Sequence, residues 1–87
     1  MLYMVIERFQ GGDPRPTYRR FREKGRMMPD GLTYVSSWVK SDLSMCWQVM
    51  ECSERALLDE WIAHWSDLTD FEVIPVVTSA EAAATSG

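Results

Sequence analysis

The chain has 87 residues, 46% hydrophobic and 25% charged, enough for one globular core and too apolar for intrinsic disorder. A formal net charge of −4 argues against general affinity for nucleic acid, and no run approaches the roughly 18 consecutive apolar residues of a membrane-crossing helix. One histidine and two cysteines, with no Cys-x-x-Cys spacing, leave no ligand set for a structural metal, so neither metal nor cofactor is expected.

Residues 2–9 are β-branched, aromatic or long apolar types that stop at Gly11-Gly12, a strand followed by a breaker. Residues 1–8 lack the basic region and cleavage site of a secretory signal, so a cytoplasmic location is expected. Asp13 before Pro14 suits the start of a helix. From 14 to about 28, Tyr18, Phe21, Gly25 and Met28 recur at helical spacing, although Gly25 is also suited to end the helix early. Pro29-Asp30-Gly31 is turn chemistry. A second strand is expected over 32–40, with Tyr34, Ser36 and Trp38 on one side and Val35, Ser37 and Val39 on the other.

Residues 41–44 suit a hairpin connection, and 45–52 form the third predicted strand, with Trp47 and Val49 opposing Gln48 and Met50. Cys46 and Cys52 both fall there, about 20 Å apart at ~3.3 Å per residue, so they cannot pair with each other. Ser53 is placed to cap the next helix. Its apolar stripe is the strongest in the chain: Leu57, Leu58, Trp61, Ile62, Trp65 and Leu68. Residues 71–77 read as a last strand, which Pro75 assigns to a sheet edge. A single domain is expected over 1–78, then a featureless tail over 79–87.

This order is that of the α+β ferredoxin-like βαββαβ fold, a four-stranded antiparallel sheet ordered 4-1-3-2 with two helices on one face. Both alternate sets of strand side chains are apolar, so the pattern leaves open which face meets the helices. The helices cover only one. A face of four strands spans on the order of 400 Å², at the upper range for an apolar patch on a monomer. A homodimer through the second sheet face is therefore expected.

Several residues are candidates for chemistry. Glu7 lies on a central strand among Tyr3, Val5 and Phe9, where burial would raise its pKa toward values useful for acid–base work. Its structural alternative is pairing with an arginine. His64 borders the stripe near Trp61 and Trp65 and is either a second acid–base group or a histidine packed at a helix edge. Tyr34, Trp38, Trp47, Trp61 and Trp65 are candidates to bind a flat apolar ligand, or else they serve core and interface packing. Arg15, Arg19, Arg22 and Arg26 stack at i, i+4, i+7 and i+11. This reads as a solvated stripe facing Glu60 and Asp67 rather than a nucleic-acid contact. Gly11-Gly12-Asp13 has no phosphate-loop spacing.

Four stretches carry a family resemblance. They are Met1-Leu2-Tyr3-Met4-Val5-Ile6-Glu7-Arg8-Phe9, Phe21-Arg22-Glu23-Lys24-Gly25-Arg26-Met27-Met28-Pro29-Asp30-Gly31-Leu32, Trp61-Ile62-Ala63-His64-Trp65-Ser66-Asp67-Leu68, and Asp70-Phe71-Glu72-Val73-Ile74-Pro75-Val76-Val77-Thr78-Ser79. Across residues 1–82 the chain resembles the bacterial family termed domain of unknown function 3303. That family looks like a member of the dimeric α/β-barrel group. The resemblance implies a ferredoxin-like protomer and a dimer of facing sheets, and it supplies no catalytic residues. Three functional readings stand. The first is a small-molecule binding protein with an aromatic cavity, and the second a cofactor-independent oxygenase or isomerase using Glu7 and His64. The third is an interaction module without a ligand. No nucleic acid or membrane partner is expected.

Overall fold

A computed structural model describes residues 1–86. The elements are β1 (Leu2–Phe9), a 3-10 turn (Gln10–Gly12), α1 (Arg15–Lys24), β2 (Thr33–Val39), β3 (Met45–Glu51), α2 (Arg55–Ala63), β4 (Thr69–Val76) and α3 (Ser79–Ser86). The fold is α+β, with one open four-stranded antiparallel sheet ordered β2-β3-β1-β4. That is the expected 4-1-3-2 order read from the other edge. Pro75 lies in the edge strand β4, where a missing N–H is tolerated. Among the described residues no helix is long and apolar enough to cross a membrane.

The structure decides the face that alternation left open. Tyr3, Val5, Glu7 and Phe9 of β1 and Cys46, Gln48 and Met50 of β3 are buried beneath the helices. Leu58 and Trp61 of α2, with Trp65 just past its end, close over Tyr3, Val5 and Met50. Val5, Met50 and Leu58 have no exposed surface, and each such side chain contributes about 1.5–3 kcal/mol through burial. α1 meets the same layer at its other end. The Tyr18 ring lies 5.8 Å from that of Phe9, and the Thr17 and Thr69 hydroxyl oxygens are 3.3 Å apart.

Of the two ends left open for α1 the structure takes the earlier, and other local expectations are corrected. Helix α1 stops at Lys24 because Gly25 takes a left-handed φ of 69° and donates its N–H to the Phe21 carbonyl at 2.8 Å. Arg26 therefore leaves the helix, and the arginine stripe ends at Arg22. Arg20, outside that stripe, forms the paired contact with Asp67 at 2.7 and 2.8 Å. Pro14 occupies the N-cap of α1, while the Asp13 side chain accepts the Arg15 amide at 3.0 Å. Ser53 does not cap α2, whose N-cap is Glu54 with no side-chain bond. That helix ends at Ala63, and tight turns carry the chain through Trp65 to Leu68.

Strict alternation also fails in β2. Tyr34 pairs with Met50 and Ser36 with Val49, so Val35 is the extra residue of a β-bulge. Two residues opposing one shift every later side chain by one position. Tyr34, Ser37 and Val39 thus share the helix side, while Ser36 and Trp38 turn to the other.

The supposed tail is a third helix. Thr78 accepts the Glu81 amide at 3.1 Å and donates its hydroxyl to the Glu81 carboxylate at 3.2 Å, a reciprocal arrangement close to a capping box. Gly87, the last residue of the expected tail, lies outside the described residues.

Candidate functional site

Between the inner sheet face and the helices lies a cavity of about 240 Å³. Every long element except β4 and α3 contributes to its wall. β1 brings Glu7 and Phe9, α1 brings Thr17, Tyr18 and Phe21, and α2 with its C-terminal turn brings Trp61 and Trp65. Arg26 enters from the loop after α1, Ser37 and Val39 from β2 beyond the bulge, and Cys46 from β3. Phe21 and Val39 are 41% and 40% exposed and mark the way in. A dry cavity of ~150 Å³ holds a benzene ring, so this one has room for one ring or a small fused pair.

Its polar groups converge on Glu7, which is only 6% exposed. Gln48 Nε2 donates to Glu7 Oε2 at 2.5 Å, and Cys46 stands directly opposite Glu7 in β3. Burial raises the Glu7 pKa from its ordinary value, outweighing the lowering by Gln48, Cys46 and the Arg26 charge. The Cys46 thiol is pushed up to about 12 by burial and by the neighbouring carboxyl, so it is a neutral group rather than a nucleophile. Tyr18 is also shifted upward, chiefly by desolvation. Gln48 Oε1 is buried with no hydrogen-bond partner among the described residues. The site is a small polar island in an aromatic wall.

Arg26 is held in two different ways. Its backbone carbonyl accepts from both indoles, Trp61 Nε1 at 2.9 Å and Trp65 Nε1 at 3.1 Å. Its guanidinium carbon lies 3.9 Å from the centroid of the Tyr34 ring and 5.2 Å from that of Phe21. Tyr34 is itself fixed by a 2.6 Å bond between its hydroxyl and that of Ser37. Among the described residues no carboxylate or carbonyl accepts a hydrogen bond from the Arg26 guanidinium.

The structure divides the candidates read from the sequence. Glu7, Trp61 and Trp65 line the cavity. Tyr34 stands behind Arg26 and does not reach the wall. Trp38 and Trp47 pair across β2 and β3 on the opposite sheet face, with Trp38 57% exposed. His64 is exposed at the C-cap of α2, where its backbone carbonyl accepts from Arg20 at 2.9 Å, so Glu7 and His64 do not share the cavity. Arg26, Tyr18, Phe21 and Cys46 were not singled out for this site. Gly25 was the available signal for Arg26, because a helix ended there drops the next residue back toward the core. Among the described residues no cluster of three His, Cys, Asp or Glu side chains is placed to hold a metal.

Fold and site together define a small α+β sheet protein with a ring-sized cavity between sheet and helices. The model of the family described as Domain of unknown function (DUF3303) matches residues 1–87, and the chain belongs to that family. No curated protein and no solved structure matches it.

Proposed function

We propose that this protein binds a small aromatic molecule in the cavity between its sheet and helices, as a ferredoxin-like protomer of a homodimer. The observation that carries the binding reading is the 240 Å³ cavity walled by Phe9, Tyr18, Phe21, Trp61 and Trp65 with a buried carboxyl inside it. Apolar walls supply affinity and a few placed polar groups supply orientation, the usual division of labour in ligand sites. Thermal unfolding across a panel of one-ring and two-ring aromatic compounds tests it. A ligand at 100 times its Kd adds ~2.7 kcal/mol and raises Tm by roughly 10–20 °C in a domain of this size. A panel with no effect on Tm at millimolar concentration refutes the reading.

The dimer reading rests on the other sheet face. Leu2, Met4 and Ile6 of β1, Trp47 and Val49 of β3, Trp38 of β2 and Ile74 of β4 alternate onto it, and no helix among the described residues covers it. The occupant that fits is a second copy, because an isologous contact matches one apolar patch with itself. Sedimentation at micromolar concentration should give the mass of two chains, and Trp47→Glu should give one. A wild-type monomer overturns this part. Two buried free thiols, Cys46 and Cys52, suit the reducing cytoplasm, which we take as the setting.

A further inference from the structure

The aromatic wall is not electrically neutral. Arg26 carries a permanent charge whose effect reaches both Glu7 and Cys46, two lining groups. Its planar fork rests against Tyr34 and Phe21, is only partly exposed, and has no acceptor among the described residues. A guanidinium stacked in this manner has its direction set in advance, which lowers the entropy lost when a partner arrives. Both Trp61 and Trp65 pin the backbone of the same residue, so the walls that would hold a ring also fix the point from which the guanidinium extends.

We infer that the cavity takes a planar aromatic carboxylate, its ring between Phe9, Tyr18, Trp61 and Trp65 and its carboxylate on the Arg26 guanidinium. This rests on the small-molecule reading above and names the class of ligand.

The competing chemistry is an aromatic amine with its ammonium on Glu7. Two features oppose it. The ammonium would share a small, weakly screened cavity with the like charge of Arg26. Glu7 is also already engaged, accepting from Gln48, and its burial disfavours the charged form that would hold an ammonium. An aromatic carboxylate meets neither obstacle. It supplies the acceptor that the guanidinium lacks. The volume limits the ring system to the size of benzoate or naphthoate.

The test is calorimetric titration of the full chain with four compounds: benzoate, 2-naphthoate, benzamide and benzylamine. One of the two acids should bind at least tenfold more tightly than benzamide, in keeping with a charge-assisted bidentate contact. Arg26→Gln should bring the acid-to-amide ratio close to one. Arg26→Lys keeps the charge without the planar fork and should fall between, and circular dichroism would show that both variants fold. Equal binding of acids and amide to the wild type overturns the inference, as does a tenfold preference that survives in Arg26→Gln. Tightest binding of benzylamine also overturns it, assigning the anchor to Glu7 while the small-molecule reading stands. If none of the four binds, both readings fall.

Discussion

The two indole donors on one carbonyl make a prediction with a definite sign of coupling. Trp61→Phe and Trp65→Phe each keep an aromatic ring but remove one N–H from the Arg26 carbonyl. A net hydrogen bond is worth ~0.5–1.5 kcal/mol, and the smaller ring forfeits about 1 kcal/mol of burial, so each single change should cost roughly 1.5–2.5 kcal/mol. In either single variant the carbonyl still has a partner. In the double variant it has none among the described residues, and an orphaned, part-buried acceptor costs ~1–3 kcal/mol more. The double variant should thus lose about 1 kcal/mol or more beyond the sum of the singles. Urea unfolding at one fixed protein concentration measures all four corners of the cycle. Additivity within ~0.3 kcal/mol would refute the argument, showing that water or a shifted backbone satisfies the carbonyl as well as the indoles do.

Glu7 predicts a pH dependence of opposite sign to that of an ordinary ion-paired carboxylate. Its folded pKa lies above the ordinary value of 4.5, so the native state holds this proton more tightly than the unfolded chain does. The associated stability is fully present below about pH 4.5 and declines as pH rises through the folded pKa. Glu7→Gln should remove that decline, and the wild-type minus variant difference in unfolding free energy should fall from pH 4.5 to 7; a difference that is flat or rises contradicts the burial argument. The exposed carboxylates of Asp13, Asp42 and Asp67, lowered by their hydrogen-bonding neighbours, titrate below this window in both proteins. Gly31→Ala places a side chain at φ +93° with its Cβ 2.9 Å from Leu57 Cδ1, for an expected loss of about 1–3 kcal/mol by chemical denaturation. Trimming Leu57 to Ala in the same background removes the overlap and leaves the backbone strain. A Gly31→Ala loss below ~0.3 kcal/mol would show that the turn relaxes at no cost.

The sheet was legible because its signals are local and redundant. Each strand is a run of β-forming residues, Gly11-Gly12 and Pro29-Asp30-Gly31 punctuate the first two, and Pro75 assigns β4 to an edge without any tertiary information. The third helix was equally legible and was missed. Thr78 and Glu81 stand three apart before an alanine run, a helix start that needs only local sequence. That Glu7 shares a face with Tyr3, Val5 and Phe9 follows from alternation, whereas the side on which that face lies does not, because both alternate sets are apolar. What escaped was the partner set, since Gln48, Cys46 and Arg26 lie 41, 39 and 19 positions away and only tertiary packing brings them to it.

The cavity owes its existence to two interruptions of regular structure, and for that reason periodicity could not reveal it. Continued alternation from Tyr34 would aim the Trp38 indole inward, at the space between β2 and α1. The extra residue at Val35 sends that indole to the opposite face and lines the space with Ser37 and Val39 instead. Ser37 takes the place of Ser36 and Val39 that of Trp38, so an indole gives way to an isopropyl group and space opens against the aromatic residues of α1 and α2. On the far side, Gly25 ends α1 one residue before Arg26, so the Arg26 carbonyl meets the two indoles and its guanidinium lies over Tyr34 and Phe21 rather than continuing along the solvent-facing stripe. The same bulge brings the Ser37 hydroxyl to that of Tyr34, steadying the ring on which the guanidinium rests. Room for a ring and a fixed cation beside it therefore arise from the same pair of irregularities. A void left by careless packing would not come with an oriented charge at its wall, and this coincidence is the strongest structural reason to treat the space as a binding site.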